Sequence, residues 1–297
     1  MTAISAQAQA RAHADKVLRA GRFSLALTRP LIMGVVNVTP DSFSDGGRFL
    51  DADRAFAHAQ SLLAEGADIL DIGGESTRPG AAPVSLDEER RRVLPVLERI
   101  VELGVPVSVD TYKPALMREA IALGAAMIND IFGLRTPGAI DALADSDAAA
   151  IIMHMQGEPG SMQRAPAYRD VTAEVAAFLA ARAQAAVLGG IGRERIALDP
   201  GFGFGKEADH NLALLGSLSQ IAALGYPLLA GLSRKSLLGK ITGRAVNERS
   251  YAGVAAALIA AQNGAAILRV HEVGATRDAL RVQQAVLHNR IEPLGQD

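Results

Sequence analysis

Short apolar runs recur along this chain, and nearly every one breaks off at an acid, an amide or a base. The first, from Leu31 to Val36, stops at Asn37, and the next three stop at Asp71, Asp110 and Asn129-Asp130. Later runs end at Asp199, lead into Ser233-Arg234-Lys235, and close on Arg269 and His271. Between them lie stretches of helical spacing, near 52–65, 85–103, 114–123, 137–144, 171–188, 210–224, 251–261 and 275–289. Strands that alternate with helices imply a parallel sheet, because each parallel return needs a crossover of helical length. About eight such units in a chain of this size imply closure. The fold class read from this pattern is α/β, a single-domain (β/α)8 (TIM) barrel; an open doubly wound sheet is its rival.

The chain has 297 residues, 49% hydrophobic and 21% charged, so it can bury a large core and is not of disordered composition. A net charge of -2, with no basic run, argues against a nucleic-acid partner. The absence of cysteine excludes disulfides and thiolate chemistry. Residues 1–22 lack the apolar segment of a secretory signal and read as an N-terminal extension, disordered or helical, ahead of a barrel domain over 23–297. "YAGVAAALIAAQNGAAILRV" is the most membrane-like stretch. Gln262, Asn263 and Gly264 interrupt it, so it reads as buried helix, turn and strand. A soluble, cytoplasmic protein with no membrane partner is expected.

One polar residue after a strand is usually a helix cap. Seven polar strand ends on one rim are an active site, since barrels of this kind place their chemistry at the C-terminal mouth. That mouth has two halves. Asp71, Asp110, Asn129 and Asp199 offer acceptors to the N–H edge of a flat heterocycle, where a buried carboxylate can take two charge-assisted bonds. Lys235, Arg269 and His271, with Arg78, offer positive charge to an anion. Asn37 is a neutral oxygen ligand of the hard type magnesium accepts when phosphate supplies other oxygens. A nitrogen heterocycle carrying a phosphate or diphosphate would satisfy both halves.

Other motifs carry less. "GFGFGK", Gly201 to Lys206, has the spacing of neither phosphate-binding loop, and Glu207 stands where a hydroxyl is needed. It reads as a glycine-rich loop that lets a ring approach the backbone. His154 has no partner at metal-ligand spacing and reads as a structural, hydrogen-bonded histidine. Ser76 and Ser233 lie in no nucleophile elbow.

"NVTPDSFSDGG", "GGESTRPGA", "SVDT", "IND", "MHMQG", "LDPGFGFGK", "SRKS" and "RVH" occur in this order. Together they resemble the signatures of the dihydropteroate synthase family, over roughly residues 27–287. The resemblance implies a pterin-binding (β/α)8 barrel, a homodimer, and a transferase of folate biosynthesis that is the target of sulfonamides. Its members condense a dihydropterin-CH2 diphosphate with 4-aminobenzoate, with Mg2+ as cofactor, by C–O cleavage that precedes attack by the amine. Carried over, Asn37 would hold the metal. Asp110, Asn129, Asp199 and Lys235 would bind the pterin, with Asp71 supporting from the rim, and Asp110, Asp199 and Lys235 would be catalytic. Arg269 would stack on the ring and, with His271, Thr77 and Arg78, hold the diphosphate. Phe43 and Pro79 would line the 4-aminobenzoate pocket and Ser236 would meet its carboxylate. A pterin-binding methyltransferase and a non-catalytic pterin-binding paralogue are the alternatives.

Overall fold

The computed structural model describes residues 17–38, 48–76, 81–158 and 160–291, apart from the side chains of 48–51. Two short strands, β1 (Val17–Ala20) and β2 (Phe23–Ala26), pair antiparallel around Gly21, whose φ of +53° suits a tight turn that a Cβ would disfavour. The expected extension over 1–22 therefore overlaps a hairpin. Val17–Ala20 is a strand because Leu18 and Ala20 alternate with exposed Val17 and Arg19 and bury themselves against the barrel.

Eight strands follow: β3 (Leu31–Asn37), β4 (Ile69–Gly73), β5 (Val107–Asp110), β6 (Met127–Asp130), β7 (Ala149–Met153), β8 (Ile196–Asp199), β9 (Leu229–Ala230) and β10 (Ile267–Val270). All pair in parallel in the order β8-β7-β6-β5-β4-β3-β10-β9. A parallel bridge between Leu198 of β8 and Leu228, just before β9, closes the circle. The (β/α)8 barrel read from the alternation is the fold observed.

The helices are α1 (Arg48–Ala64), α2 (Leu86–Ile100), α3 (Pro114–Ala122), α4 (Ala139–Ala144), α5 (Val171–Leu188), α6 (Ala208–Gly216), α7 (Leu218–Ala222), α8 (Ser236–Thr242), α9 (Ser250–Gln262) and α10 (Val273–His288). Local chemistry sets their starts. The Ser85 hydroxyl accepts from Glu88 N at 3.3 Å, with three acids in the first turn of α2. The Asp170 carboxylate accepts from Thr172 N and Ala173 N, both at 3.0 Å, at the start of α5. The helix expected over 210–224 breaks at Ser217 into α6 and α7, and α8 begins at Ser236, where the family resemblance implies a helix N-terminus.

The barrel carries two cores, one inside it and one around it. Its lower end is apolar: Leu31, Met33, Ile69, Met127, Ile151, Leu229 and Ile267 pack with Leu18, Ala20 and Leu27 of the hairpin region. A second, larger core lies between strands and helices and includes Val36, Ile72, Val93, Leu97, Ile128, Leu179, Leu214 and Leu268. Burying one such side chain is worth about 1.5–3 kcal/mol. This rigid lower half holds the strand ends at the other mouth in place.

Candidate active site

Side chains alternate along a strand, so the residue two positions beyond an inward-facing apolar residue also faces inward. Ile69 is followed by Asp71, Met127 by Asn129, Ala197 by Asp199 and Ile267 by Arg269. The polar set expected from the strand ends is thereby stacked directly on the apolar floor.

Arg269 lies at its centre. Its Nε donates to Asp71 Oδ2 at 2.6 Å and its Nη2 to Asp110 Oδ2 at 3.2 Å, so β10 is tied past β3 to both β4 and β5. Burial opposes the guanidinium, yet Asp71 and Asp110 together hold its proton above the usual range. Asp71 is fully buried, with Oδ1 unpartnered. This corrects its expected place on the rim: Asp71 sits beneath the mouth as the counter-charge of Arg269. Burial pushes the Asp110 carboxyl up to about 8, against the pull of Arg269 and with repulsion from Asp71 adding to the rise. Asn129 pairs in register with Asp110 across β5 and β6 and is buried with its Oδ1 lacking any donor. A buried acceptor without a partner is costly and marks a place where a ligand N–H can bind.

The opposite wall is Asp199 and Lys235. Burial raises the Asp199 carboxyl, opposed first by the Lys235 charge, and Oδ1 accepts from Gly201 N at 2.7 Å. Burial brings the Lys235 ammonium down to about 8, opposed by Asp199. Lys235 Nζ donates to the Phe202 carbonyl and stands 4.6 Å over the Phe204 ring. The residue before it, Arg234, takes a left-handed φ of +60°. That strain, of order 1–3 kcal/mol, is held by Glu272 Oε1, which accepts from Arg234 Nη2 at 2.7 Å and from Ser250 Oγ at 3.0 Å. Ser236 opens α8 immediately after Lys235 and is exposed. His271 shares a 3.0 Å contact with Ser233 Oγ through Nδ1.

Asn37, Gly73 and Asp110 lie side by side across β3, β4 and β5. A Cβ on Gly73 would come within 4.0 Å of both Asn37 Oδ1 and Asp110 Oδ2, so the glycine keeps a gap open between two oxygens. Among the described residues no cluster of three His, Cys, Asp or Glu could hold a metal by itself. One or two oxygens beside a gap fit a cation whose other ligands come from a phosphate and water. Phe43, Thr77, Arg78 and Pro79 lie outside the described residues.

The structure adds residues that strand-end reading missed. Phe204 and the Phe202 carbonyl seat Lys235, and the glycine motif was their only local signal. Glu75, in the segment after β4, is gripped by Lys113 Nζ at 2.5 Å and by Tyr112 Oη at 3.1 Å, with buried Glu89 of α2 on the same ammonium. Arg92 Nη1 adds a bond to Gly74 O at 2.9 Å. These contacts fix Gly74 and Glu75, described residues shortly before Thr77 and Arg78. Asp130, named with Asn129 at its strand end, instead caps a turn by accepting from Phe132 N at 2.7 Å and Leu134 N at 2.9 Å.

Comparison with known proteins agrees with this geometry. Residues 33–271 match the family described as pterin binding enzyme. The chain is 51% identical over 278 residues to a dihydropteroate synthase of Neisseria meningitidis serogroup C, covering 92% of this chain and 98% of the relative. It is similar to the Xanthomonas albilineans dihydropteroate synthase structure with 4-aminobenzoic acid, at 55% identity and a TM-score of 0.84, covering 89% of this chain and 95% of that one. The Burkholderia cenocepacia dihydropteroate synthase complexed with 7,8-dihydropteroate matches at 52% identity and a TM-score of 0.84, over 92% and 97% of the two chains. With this match over most of its length and about half its residues identical to those of the relatives, this chain belongs to the dihydropteroate synthase family of pterin-binding enzymes.

Proposed function

We propose that the mouth condenses (7,8-dihydropterin-6-yl)methyl diphosphate with 4-aminobenzoate, releasing 7,8-dihydropteroate and diphosphate. The observation that carries this reading is the buried Asn129 Oδ1, unpartnered beside a carboxyl that burial holds near neutrality. A neutral amide oxygen next to a readily protonated carboxyl matches the mixed donor and acceptor edge of a pterin. A site for a simple anion would have no use for either.

The chemistry follows from the charges. As the C–O bond lengthens, positive charge spreads from the exocyclic methylene into the pterin ring. Asp199 and Asp110 face that charge, and its appearance lowers their pKa toward the ionised form that stabilises it. Lys235 orients the ring from the Phe204 side, and His271 and Arg269 lie toward the leaving group. The neutral aniline nitrogen attacks the methylene carbon with its lone pair and then loses one N–H proton to water, so no nucleophile-activating triad is needed. Asn37 would hold magnesium in the gap beside Gly73; when bound, the metal offsets charge on the diphosphate. Ser236, at the start of α8, would meet the carboxylate of 4-aminobenzoate.

A soluble, cytoplasmic homodimer completes the proposal. Tyr251 and Ile259 on α9, and Val282 and Val286 on the adjoining α10, are exposed apolar side chains that a second copy would cover. Helix α5 is long and apolar enough to span a membrane, but Val171, Val175, Leu179, Ala183 and Ala186 are buried against the barrel. A coupled assay for diphosphate release with both substrates tests the reaction. Turnover that requires 4-aminobenzoate is expected, and diphosphate-independent binding with no turnover would overturn it. Light scattering tests the dimer.

A further inference from the structure

Lys206 does not face the mouth, yet its side chain is 3% exposed and fully engaged. Nζ donates to Gly201 O at 2.9 Å and Phe204 O at 3.0 Å, both on the loop after β8. It also meets His154 Nδ1 at 2.9 Å, on the segment after β7. Among the described residues no carboxylate lies within ion-pair distance of it. Burial lowers its ammonium to about 7, with Asp199 opposing. Burial and then Lys206 lower the His154 imidazolium to about 3, so His154 is neutral and can lend Nδ1 as an acceptor. A lysine buried among carbonyls is an expensive way to stabilise a loop, and its cost calls for an account in function.

The loop takes an unusual course. Gly201, Gly203 and Gly205 all have left-handed φ, at +67°, +80° and +60°. A Cβ on Gly201 would fall 1.9 Å from His154 O, and one on Gly203 would press Lys235 Cδ at 3.3 Å. Such a backbone makes no strand or helix ladder, so its carbonyls need other donors. Lys206 serves two of them from one point, Phe204 O and Gly201 O, the latter shared with Phe204 N at 3.1 Å. Around it, Gly203 N donates to Asn211 Oδ1 at 2.7 Å and Gly205 O accepts from Tyr168 Oη at 2.8 Å. The two outward products of this course are the Phe202 carbonyl on Lys235 Nζ and the Phe204 ring beneath it.

We infer that Lys206 is a positioning residue: by gathering the carbonyls of Gly201 and Phe204 against His154, it fixes the loop that seats Lys235 and presents Phe204 to the bound substrates. This rests on the condensation reading above, but its decisive readout does not. Lys206→Met keeps the length of the side chain and removes the donor. Lys235 is then less firmly held, and its reactivity toward trinitrobenzenesulfonate at pH 7.5, followed by peptide mass spectrometry, should rise at least ~5-fold. With both substrates, kcat/KM should fall ~30-fold or more, mostly in kcat. Magnesium diphosphate, gripped on the other side of the mouth, should bind within ~2-fold of wild type. Unchanged labelling of Lys235 overturns the inference whatever happens to turnover. So does a parallel loss of turnover and diphosphate binding, which would make Lys206 a part of the fold alone. Wild-type turnover, run beside it, decides the reaction separately. If Lys206→Met does not fold, His154→Leu should show the same pattern at smaller size. His154→Gln, which keeps an acceptor, should restore labelling to within ~2-fold of wild type, and a failure to differ from the Leu variant overturns the inference equally.

Discussion

The two ends of the barrel interior are built from the same strands, two residues apart, and they obey different rules. Ile69, Met127, Ala197 and Ile267 belong to a lower layer of apolar side chains. Asp71, Asn129, Asp199 and Arg269, about 6.6 Å further along, form a layer of charges and amides whose burial opposes their ionised forms. The lower layer gains stability from each group it hides. The upper layer loses stability at Asp110, Asp199 and Lys235 in exchange for groups whose protonation responds to a ligand. Such a division places reactivity where the structure is strained and rigidity where it is not.

The sharpest test exchanges charge for shape in the upper layer. Asp199→Asn should lower kcat/KM by roughly 10^2–10^4, because a neutral amide cannot stabilise the developing cation. Its melting temperature should hold or rise, since an amide escapes the desolvation that raises the Asp199 pKa, and its Oδ1 can still accept from Gly201 N. Differential scanning calorimetry beside steady-state kinetics checks both halves. A stability loss with activity within about threefold would place Asp199 with the structural residues and break the comparison.

The mirror experiment lies in the floor. Ile267→Ala should cost about 2–4 kcal/mol of stability through lost burial and the cavity left behind. Its kcat/KM should stay within about threefold at a temperature where the protein is folded, although Arg269 is only two residues away. Denaturant unfolding with parallel assays decides it. A larger kinetic than thermodynamic effect would mean that the two layers are mechanically coupled.

Much of this arrangement is legible in the sequence, and the limits of reading it are physical. An apolar run that ends on a polar residue is a local signal, so Asn37, Asp110, Asn129, Asp199 and Lys235 are found without knowing what they touch. The pairing of Arg269 with Asp71 spans 198 residues and depends on barrel closure. That is why Asp71 reads as a rim residue when it is a buried counter-charge. The hairpin β1–β2 is too short for periodicity to register. "GFGFGK" is conspicuous, but the work of Phe204 and Lys206 passes through backbone carbonyls, which carry no side-chain signature. Magnesium at Asn37 and the contributions of Phe43, Thr77, Arg78 and Pro79 remain proposals of the family resemblance.

A pH titration separates function from stability at a single residue. Lys235 has its ammonium lowered to about 8 in the free site, so kcat/KM should fall as pH rises through about 8. In the ternary complex Asp199 and the diphosphate favour the charged amine, and the corresponding limb of kcat should lie higher. Stability moves the other way. Between pH 8 and the ordinary lysine range the unfolded chain binds more protons at this position than the folded one, so this contribution to stability rises with pH. Lys235→Arg, whose guanidinium stays charged, should flatten the alkaline limb at a cost in kcat/KM of up to about tenfold. A limb of unchanged position in that variant would assign it to another group of the coupled set, with Asp110 first.

The smallest expected effect concerns the edge where the upper layer meets the anion. Asn37 is the last residue of β3, beside Gly73 and in line with Asp110, and it is only half-buried. If its amide oxygen serves a metal, its contribution should appear only when the metal and a phosphate are both present, since a hard cation gains most when phosphate oxygens complete its octahedron. Asn37→Ala should therefore weaken diphosphate about 10-fold with magnesium, a difference of about 1.4 kcal/mol, and by less than twofold in EDTA. The affinity for a pterin without diphosphate should be unchanged in either buffer, because Asp110, Asn129 and Asp199 are left intact. Isothermal titration of the two ligands in the two buffers gives four numbers, and only one of them should move. An equal loss for pterin and diphosphate would mean that Asn37 shapes the wall of the ring pocket and stands on the pterin side of the boundary between the two halves of the mouth.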